Sequence, residues 1–150
     1  MELILWRHAD AEDGVIDGER KLTGKGVKHA ARMATWLKQQ LPGDVLILVS
    51  PALRARQTAR ALVGKFETTG AVGTAASPES LLKAAGWPTG RGVVLIVGHQ
   101  PTLGQTAALL MTGKPADWSV GKGAVWWFVQ REREGRSTVL LRAVIEPDAL

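Results

Sequence analysis

The stretch LILWRH at residues 3–8 sets the pattern for the chain, because four apolar residues run without interruption into an arginine and a histidine. Two further apolar runs, Val45–Val49 and residues 93–97, also end in polar residues. A continuous apolar run, as opposed to an alternating one, is typical of a strand that helices cover on both faces. The sequence therefore predicts three buried, parallel strands.

Helical patterns lie between these runs. The clearest follows Thr23, a possible N-cap, and carries apolar residues three or four positions apart. Its apolar positions are Val27, Ala30, Ala34, Leu37 and Leu41. Pro42 and Gly43 are expected to end this helix.

The remaining elements are predicted from shorter patterns. Helices are expected at residues 53–66, Pro78–Ala85 and 101–111, a loop with a weak edge strand at 68–77, and a hairpin of strands 124–130 and 138–145 around 131–137. The alternation of strands and helices predicts an α/β fold, a single three-layer αβα domain over residues 1–150 with a mostly parallel central sheet.

Composition narrows the possible functions. A chain of 150 residues with 45% hydrophobic residues suits one folded domain, and a net charge of +5 attracts anions without forming a basic tract. The absence of cysteine excludes disulfides, thiolate metal sites and a cysteine nucleophile. No leader peptide or membrane-spanning stretch is recognisable, so we expect a soluble, cytoplasmic protein.

Polar and cationic residues follow each of the three apolar runs. Arg7 and His8 follow the first, Ser50 and then Arg54 follow the second, and His99 follows the third. Ligands of open α/β sheets bind beyond the carboxyl ends of the strands, so these residues are expected to meet in one crevice. Guanidinium groups grip phosphoryl oxygens through paired charged hydrogen bonds. The pattern predicts a phosphoryl site.

Two residues of this group are candidate nucleophiles. Ser50 lacks the Gly-x-Ser-x-Gly elbow, and a serine before a proline at a strand end is commonly a turn residue. His8 is favoured because a neutral imidazole attacks phosphorus near neutral pH without a strong base to activate it. His29 lies off the apolar stripe of its helix and is expected at the surface, as are Arg56 and Arg60.

Four blocks, in order, resemble the histidine phosphatase (phosphoglycerate mutase-like) superfamily. They are LILWRHADAE at residues 3–12, LTGKGVKHA at 22–30, SPALRARQTA at 50–59 and VGHQPTLG at 97–104. The resemblance is strongest to the short SixA-type phosphohistidine phosphatases. It implies a phosphoglycerate mutase-like fold, a phosphohistidine intermediate on His8, a phosphate pocket completed by Arg7, Arg54 and His99, and no metal or other cofactor.

The chain departs from the family pattern at two points. Ala9 replaces the glycine of the Arg-His-Gly signature, a change that we expect to be tolerated. The glutamate that protonates the leaving oxygen in many longer members has no evident match. The acidic residues that remain candidates are Asp10, Glu12, Asp17, Glu19 and Glu79. A site without an acid suits phosphohistidine, because that substrate, protonated on its second ring nitrogen, releases neutral imidazole.

The sequence thus predicts a phosphatase that acts on phosphohistidine of a protein. The alternative is a phosphatase or mutase for a small phosphorylated metabolite, although the short chain offers little material for the lid that a mutase needs. A non-catalytic domain that binds phosphate or nucleic acid ranks lower, since no nucleic-acid motif is present. The expected partner is a phosphorylated protein or metabolite, with no nucleic acid and no membrane; the oligomeric state is open.

Overall fold

Six strands form one mixed sheet in the computed structural model, which describes residues 1–150. The strands are β1 (Glu2–Arg7), β2 (Val45–Val49), β3 (Glu67–Thr68), β4 (Val93–Gly98), β5 (Val125–Arg133) and β6 (Arg136–Ile145). Their order across the sheet is β3-β2-β4-β1-β5-β6. The three predicted buried strands are β1, β2 and β4, and they are parallel neighbours. The strands β3, β2, β4 and β1 are parallel, as expected, and the hairpin of β5 and β6 adds an antiparallel edge that makes the sheet mixed.

Four helices cover the two faces of the sheet. They are α1 (Gly24–Gln40), α2 (Leu53–Arg60), α3 (Pro78–Ala85) and α4 (Thr102–Thr112). Short 3-10 turns lie at Asp17–Glu19, Gly70–Val72 and Pro147–Ala149. The prediction of α3 is confirmed at both ends. The chain has no helix with the length and apolarity that a bilayer crossing requires.

Side chains of β1 alternate between two apolar cores. Ile4 and Trp6 pack in a core with Met33 of α1 and other residues of α1 and α2. Leu3 and Leu5 point the other way and pack with residues of α3 and α4. Because both faces of β1 are apolar and buried, its sequence reads as a continuous run. The three-layer αβα arrangement predicted from the sequence is confirmed.

The apolar stripe of α1 differs from the prediction at its first position. Thr23 caps the helix as expected, since its side chain accepts a hydrogen bond of 3.0 Å from the Gly26 amide. Val27 is 56% exposed, and the buried position in the first turn belongs to Gly26. A side chain at Gly26 would collide with the backbone of Asp10, so only glycine allows the helix to approach this closely.

Two predicted boundaries are wrong. Helix α2 ends at Arg60 and not at Phe66: Ala61 and Leu62 form a turn, and Leu62 and Phe66 pack on the core outside the helix. The hairpin loop is shorter than residues 131–137. Glu134 and Gly135 both have positive φ, of 52° and 75°, which is the backbone of a tight two-residue turn that lets charged residues continue the strands.

Replacing Gly26 with alanine should destabilise the protein by about 3 kcal/mol, the upper part of the range for overpacked sites, because the new Cβ would lie 2.0 Å from the Asp10 carbonyl oxygen. Gly24→Ala in the same helix is the matched control, since its Cβ would meet nothing within 4 Å. That control should change stability by less than about 1 kcal/mol, in the stabilising direction. Urea denaturation of both variants measures the difference. Equal stabilities would show that α1 shifts freely away from Asp10.

Candidate active site

The side chains that follow β1, β2 and β4 meet at one end of the sheet, as the sequence predicted. Arg7, the last residue of β1, is in register with Gly98, the last residue of β4. His8 and His99 therefore leave neighbouring strands side by side, and their ring centroids are 5.1 Å apart. They share a cavity of about 260 Å³ with both predicted arginines. Its lining residues are Arg7, His8, Ala11, Asp17, Arg20, Arg54, Thr74, His99, Gln100 and Lys122.

His8 presents an unprotonated nitrogen to this cavity. Its Nδ1 lies 2.8 Å from the Ala9 carbonyl oxygen, which only accepts hydrogen bonds, so Nδ1 carries the proton and Nε2 carries the lone pair. The pKa of His8 is lowered from its ordinary 6.5 to about 3, mainly because burial disfavours the imidazolium; the Ala9 hydrogen bond opposes this, and the positive charge of nearby arginines adds to it. His8 is therefore neutral at physiological pH.

Arg54 is buried on α2 and uses the two edges of its guanidinium differently. Toward the cavity, Nε lies 3.4 Å from His8 Nε2, and Nη2 lies 3.5 Å from His99 Nδ1. On its other edge, toward Asp17 at the rim of the cavity, Nη1 donates to the Asp17 carbonyl oxygen at 2.7 Å and Nη2 donates to Asp17 Oδ2 at 3.1 Å. The inner edge is thus aimed at the two imidazole lone pairs, and the outer edge is held in place.

His99 is positioned by Ser50. The Nε2 atom of His99 lies 2.7 Å from Ser50 Oγ, and because Nδ1 faces a guanidinium N–H, the proton of the neutral ring is on Nε2. Ser50 is 1% exposed, and its Oγ also accepts a bond from the Ala52 amide. The pKa of His99 is lowered to about 4, mainly by burial and then by Arg54.

Ser50 therefore holds a ring in place, which the sequence did not predict. It is not placed as a nucleophile: its hydroxyl is buried, and the far nitrogen of its histidine partner faces Arg54 where a serine hydrolase has a carboxylate. The turn that Ser50 forms with Ala52 is the role that a serine before a proline commonly has.

Arg7 is anchored from the opposite side of the cavity. Its Nη1 donates to the Val120 carbonyl oxygen at 2.8 Å, while its buried Nε has no hydrogen-bond partner in the protein. A buried N–H without a partner is costly, and an anion in the cavity is a natural acceptor for it. The residues present therefore fit an oxyanion.

Ala9, which replaces the glycine of the family signature, fits without conflict. It is fully buried, packs with Leu22 and Ala30, and its amide donates to Thr58 Oγ1 at 3.1 Å. Gly123 lies opposite the Ala9 methyl group and has a φ of 74°, a conformation that favours glycine. The extra methyl group fits beside a residue that has no side chain.

Of the five acidic candidates, only Asp17 lines the cavity. Asp10 is held outside it by Lys122 and Thr23, at 3.0 Å and 2.8 Å. Glu12 and Glu19 line a separate depression, and Glu79 lies in the first turn of α3. The pKa of Asp17 is below its ordinary value because Arg54 and Arg20 donate hydrogen bonds to the carboxylate. Asp17 is therefore ionised and poorly suited to donate a proton.

Other residues are brought to the cavity by loops that sequence reasoning did not connect with it. Arg20, Thr74, Gln100 and Lys122 belong to this group. None of these four residues is the first polar residue after a predicted strand, so the rule that found the other site residues does not select them. His29 does not line the cavity, but its expected place at the surface is wrong: its side chain is 13% exposed beside Asp148, because the C-terminal turn at Pro147–Ala149 packs against α1. No three His, Asp or Glu side chains are grouped closely enough to bind one metal ion.

One buried arginine, one partly buried arginine and two neutral histidines surround one cavity, a set of groups chemically suited to a phosphoryl group. Comparison with known proteins agrees with this interpretation. Residues 3–72 match the model of the histidine phosphatase superfamily, branch 1. The phosphohistidine phosphatase SixA of Escherichia coli strain K12 is 32% identical over 129 residues, which cover 76% of each chain. The chain therefore belongs to the histidine phosphatase superfamily.

Solved structures of related proteins are similar to this chain over nearly its full length. The protein histidine phosphatase SixA complexed with tungstate superposes with a TM-score of 0.81 at 26% identity, over 99% of both chains. A phosphoserine phosphatase mutant of Entamoeba histolytica, solved with phosphoserine, has a TM-score of 0.73 at 18% identity and covers 99% of this chain and 98% of its own. That second likeness shows the fold alone. The resemblance to SixA-type proteins predicted from the sequence is confirmed.

Proposed function

We infer that this protein is a phosphatase that hydrolyses phosphohistidine through a phosphoryl intermediate on His8. The observation that carries the inference is the geometry around His8 Nε2: its lone pair meets the inner edge of Arg54 at 3.4 Å, beside His99, in a cavity that Arg7 also lines. A nucleophile and the positive charge that its substrate needs thus converge on one point. The proposal extends to Arg7, Arg54 and His99 as the phosphate-binding residues.

In the first step, Nε2 of His8 attacks phosphorus while the bond between phosphorus and the leaving atom breaks, and that bond's electron pair moves to the leaving atom. Arg54 and Arg7 neutralise the equatorial oxygens during this in-line transfer. The hydrogen bond from Nδ1 to Ala9 keeps the proton away from the attacking nitrogen. His8 therefore needs no base to activate it.

His99 binds the same oxygens as a donor. For this, its proton sits on Nδ1, and Ser50 Oγ donates to Nε2 in place of accepting from it. A hydroxyl group rotates to suit either tautomer, and the 2.7 Å contact serves both. A dianionic phosphoryl group at the cavity favours the tautomer that donates to it. Water then attacks the phosphorus of phospho-His8, and the electron pair of the breaking P–N bond returns to Nε2. The phosphate leaves with the oxygen and both protons of the water as dihydrogen phosphate, which then equilibrates with solvent.

The choice of phosphohistidine as substrate rests on the missing acid. An alkoxide leaving group benefits from a positioned proton donor, worth roughly a hundredfold or more. The one carboxyl group in the cavity, Asp17, is ionised. Phosphohistidine protonated on its second ring nitrogen leaves as neutral imidazole and needs no such donor. The similarity to SixA, described as a phosphohistidine phosphatase, supports the same choice.

A substrate panel tests the proposal. Wild-type protein should hydrolyse a histidine-phosphorylated protein with a higher kcat/KM than phosphoserine peptide, phosphotyrosine peptide or sugar phosphate. The expected difference is about a hundredfold or more, because the oxygen leaving groups of the other substrates need a proton donor that the cavity does not supply. Phosphate release measured under identical conditions gives the ranking. A sugar phosphate at the top would favour the alternative, a phosphatase or mutase of small metabolites. Turnover of none would favour a domain that only binds phosphate or nucleic acid.

We propose that the enzyme works without a metal ion, with charge supplied by Arg7 and Arg54, as the family resemblance implies. The proposed partner is a phosphorylated protein. A cytoplasmic location, and an organisation as one domain over residues 1–150, follow from the sequence and are part of the same proposal.

A further inference from the structure

Asp17 occupies a special place in the cavity because it is the one carboxylate among the lining residues, which otherwise carry positive or no charge. It also lines a larger neighbouring groove of about 460 Å³ that runs past Pro51 and the loop at Gly70–Ala75. Asp17 and Thr74 are the two residues common to both spaces. The carboxylate therefore stands where the phosphoryl site opens into the groove.

The two histidines lie deeper in the phosphoryl site than Asp17. His8 and His99 are 7% and 4% exposed, whereas the Asp17 side chain is 59% exposed. A leaving group on the side of phosphorus away from the buried His8 therefore lies toward the exposed rim of the cavity, to which Asp17 belongs. A phosphorylated imidazole in the cavity can thus come within reach of this carboxylate.

The Asp17 carboxylate has room for another hydrogen bond. Oδ2 accepts from Arg54 at 3.1 Å and Oδ1 accepts from Arg20 at 3.2 Å, whereas a carboxylate has about four acceptor positions. The side chain is 59% exposed, so a substrate can reach the free positions. Its charge distinguishes leaving groups, since an anion attracts an imidazolium N–H and repels a developing phenolate or alkoxide.

We propose that Asp17 determines specificity for phosphohistidine by accepting a hydrogen bond from the protonated second nitrogen of the substrate imidazole. This inference rests on the proposed function and names the residue that selects its leaving group. As His8 Nε2 forms its bond to phosphorus, the substrate P–N bond breaks, and its electron pair enters the ring and cancels the ring's positive charge. The proton on the second nitrogen remains there, held by Asp17, and neutral imidazole departs.

The charges around Asp17 set the expected pH dependence. Arg54 from α2 and Arg20 from its own loop contact the carboxylate. The other charged or titratable groups lining the cavity are Arg7, His8, His99 and Lys122. The arginines and Lys122 are positive and disfavour a protonated substrate ring, the two histidines are neutral, and Asp17 is the one lining group whose charge favours the protonated ring. A single nearby charge shifts a pKa by about one unit or more. Without Asp17, the substrate ring should lose its proton at a lower pH.

The test compares Asp17→Asn with wild type on two substrates, a histidine-phosphorylated protein and an aryl phosphate whose phenolate leaving group has no ring nitrogen. The kcat/KM for phosphohistidine divided by the kcat/KM for the aryl phosphate should be about tenfold lower in Asp17→Asn than in wild type, which is the change that one pKa unit produces. The alkaline limb of the phosphohistidine profile should also move about one pH unit toward acid. Asp13→Asn, an exposed carboxylate outside the cavity, is the matched control and should leave the ratio unchanged.

Asp17→Glu keeps the charge and should restore most of the ratio. Equal losses on both substrates with an unmoved pH profile would overturn the proposal, since that is the result for a residue that only positions Arg54. Failure of the proposed function looks different: wild type itself would hydrolyse the aryl phosphate and not phosphohistidine, and the specificity role of Asp17 would fall with it.

Discussion

His8→Ala should abolish phosphatase activity, lowering kcat/KM by roughly 10⁴-fold or more, as loss of a nucleophile does in enzymes with covalent intermediates. Two imidazole nitrogens with a free lone pair face Arg54: His8 Nε2 at 3.4 Å from Nε, and His99 Nδ1 at 3.5 Å from Nη2. Replacing His8 removes the first of these, which is the proposed nucleophile. Brief incubation with a histidine-phosphorylated protein labelled with radioactive phosphate should label wild type but not the variant. The label should be acid-labile and alkali-stable, as phosphohistidine is.

His29→Ala is the matched control for this experiment. His29 is a mostly buried histidine of α1 that contacts Asp148 at 3.4 Å and does not line the cavity. Its replacement should leave both turnover and labelling at wild-type levels. Labelling that persists in His8→Ala would move the intermediate to another residue, with His99 the first to examine. Retention of full activity would remove His8 from the mechanism.

Arg54→Ala is expected to lower kcat/KM by roughly 10³-fold, the lower end of what an arginine contributes to phosphoryl transfer in other enzymes. Arg54 is 4% exposed and faces His8 and His99 at the same time, so its loss removes charge from the point where the transferring group is expected. Arg54→Lys should recover only a small part of this loss. An ammonium is a point charge and cannot present two parallel N–H groups to a phosphoryl group while donating to Asp17.

Arg60→Ala controls for the loss of a cation from α2. Arg60 is exposed at the end of the same helix and lies over the Phe66 ring, 5.6 Å from its centroid. We expect its replacement to leave kcat/KM unchanged. Steady-state kinetics on all three variants, with circular dichroism to show that they fold, measure the effect. Full activity in Arg54→Lys would show that the enzyme needs charge at this position but not the guanidinium fork.

The central part of the fold could be predicted because buried parallel strands leave a strong trace in the sequence. Continuous apolar runs identified β1, β2 and β4, and the rule that parallel strands end at one edge brought Arg7, His8 and His99 together. Arg54 followed because it lies in the first turn of the helix after β2. The structure places these four side chains around one cavity.

The errors arose where packing outweighs local pattern. Val27 has the spacing of a core residue, but Gly26 takes the buried position because α1 approaches the Asp10 backbone so closely. Phe66 packs on the core without being helical, so apolar spacing extended α2 too far. The contact between Asp17 and Arg54 joins a loop to a helix 37 positions away, and no periodicity predicts such a contact.

The turn at Glu134 and Gly135 has a practical consequence. Strand β5 leaves the crevice, where the Gly123 amide bonds to the Arg7 and His8 carbonyl oxygens, and runs antiparallel to β1 toward the far edge of the molecule. The bend between β5 and β6 is thus exposed and remote from the reacting groups. A fluorophore or a surface tether attached at this bend would leave the active-site cavity accessible during single-molecule measurements.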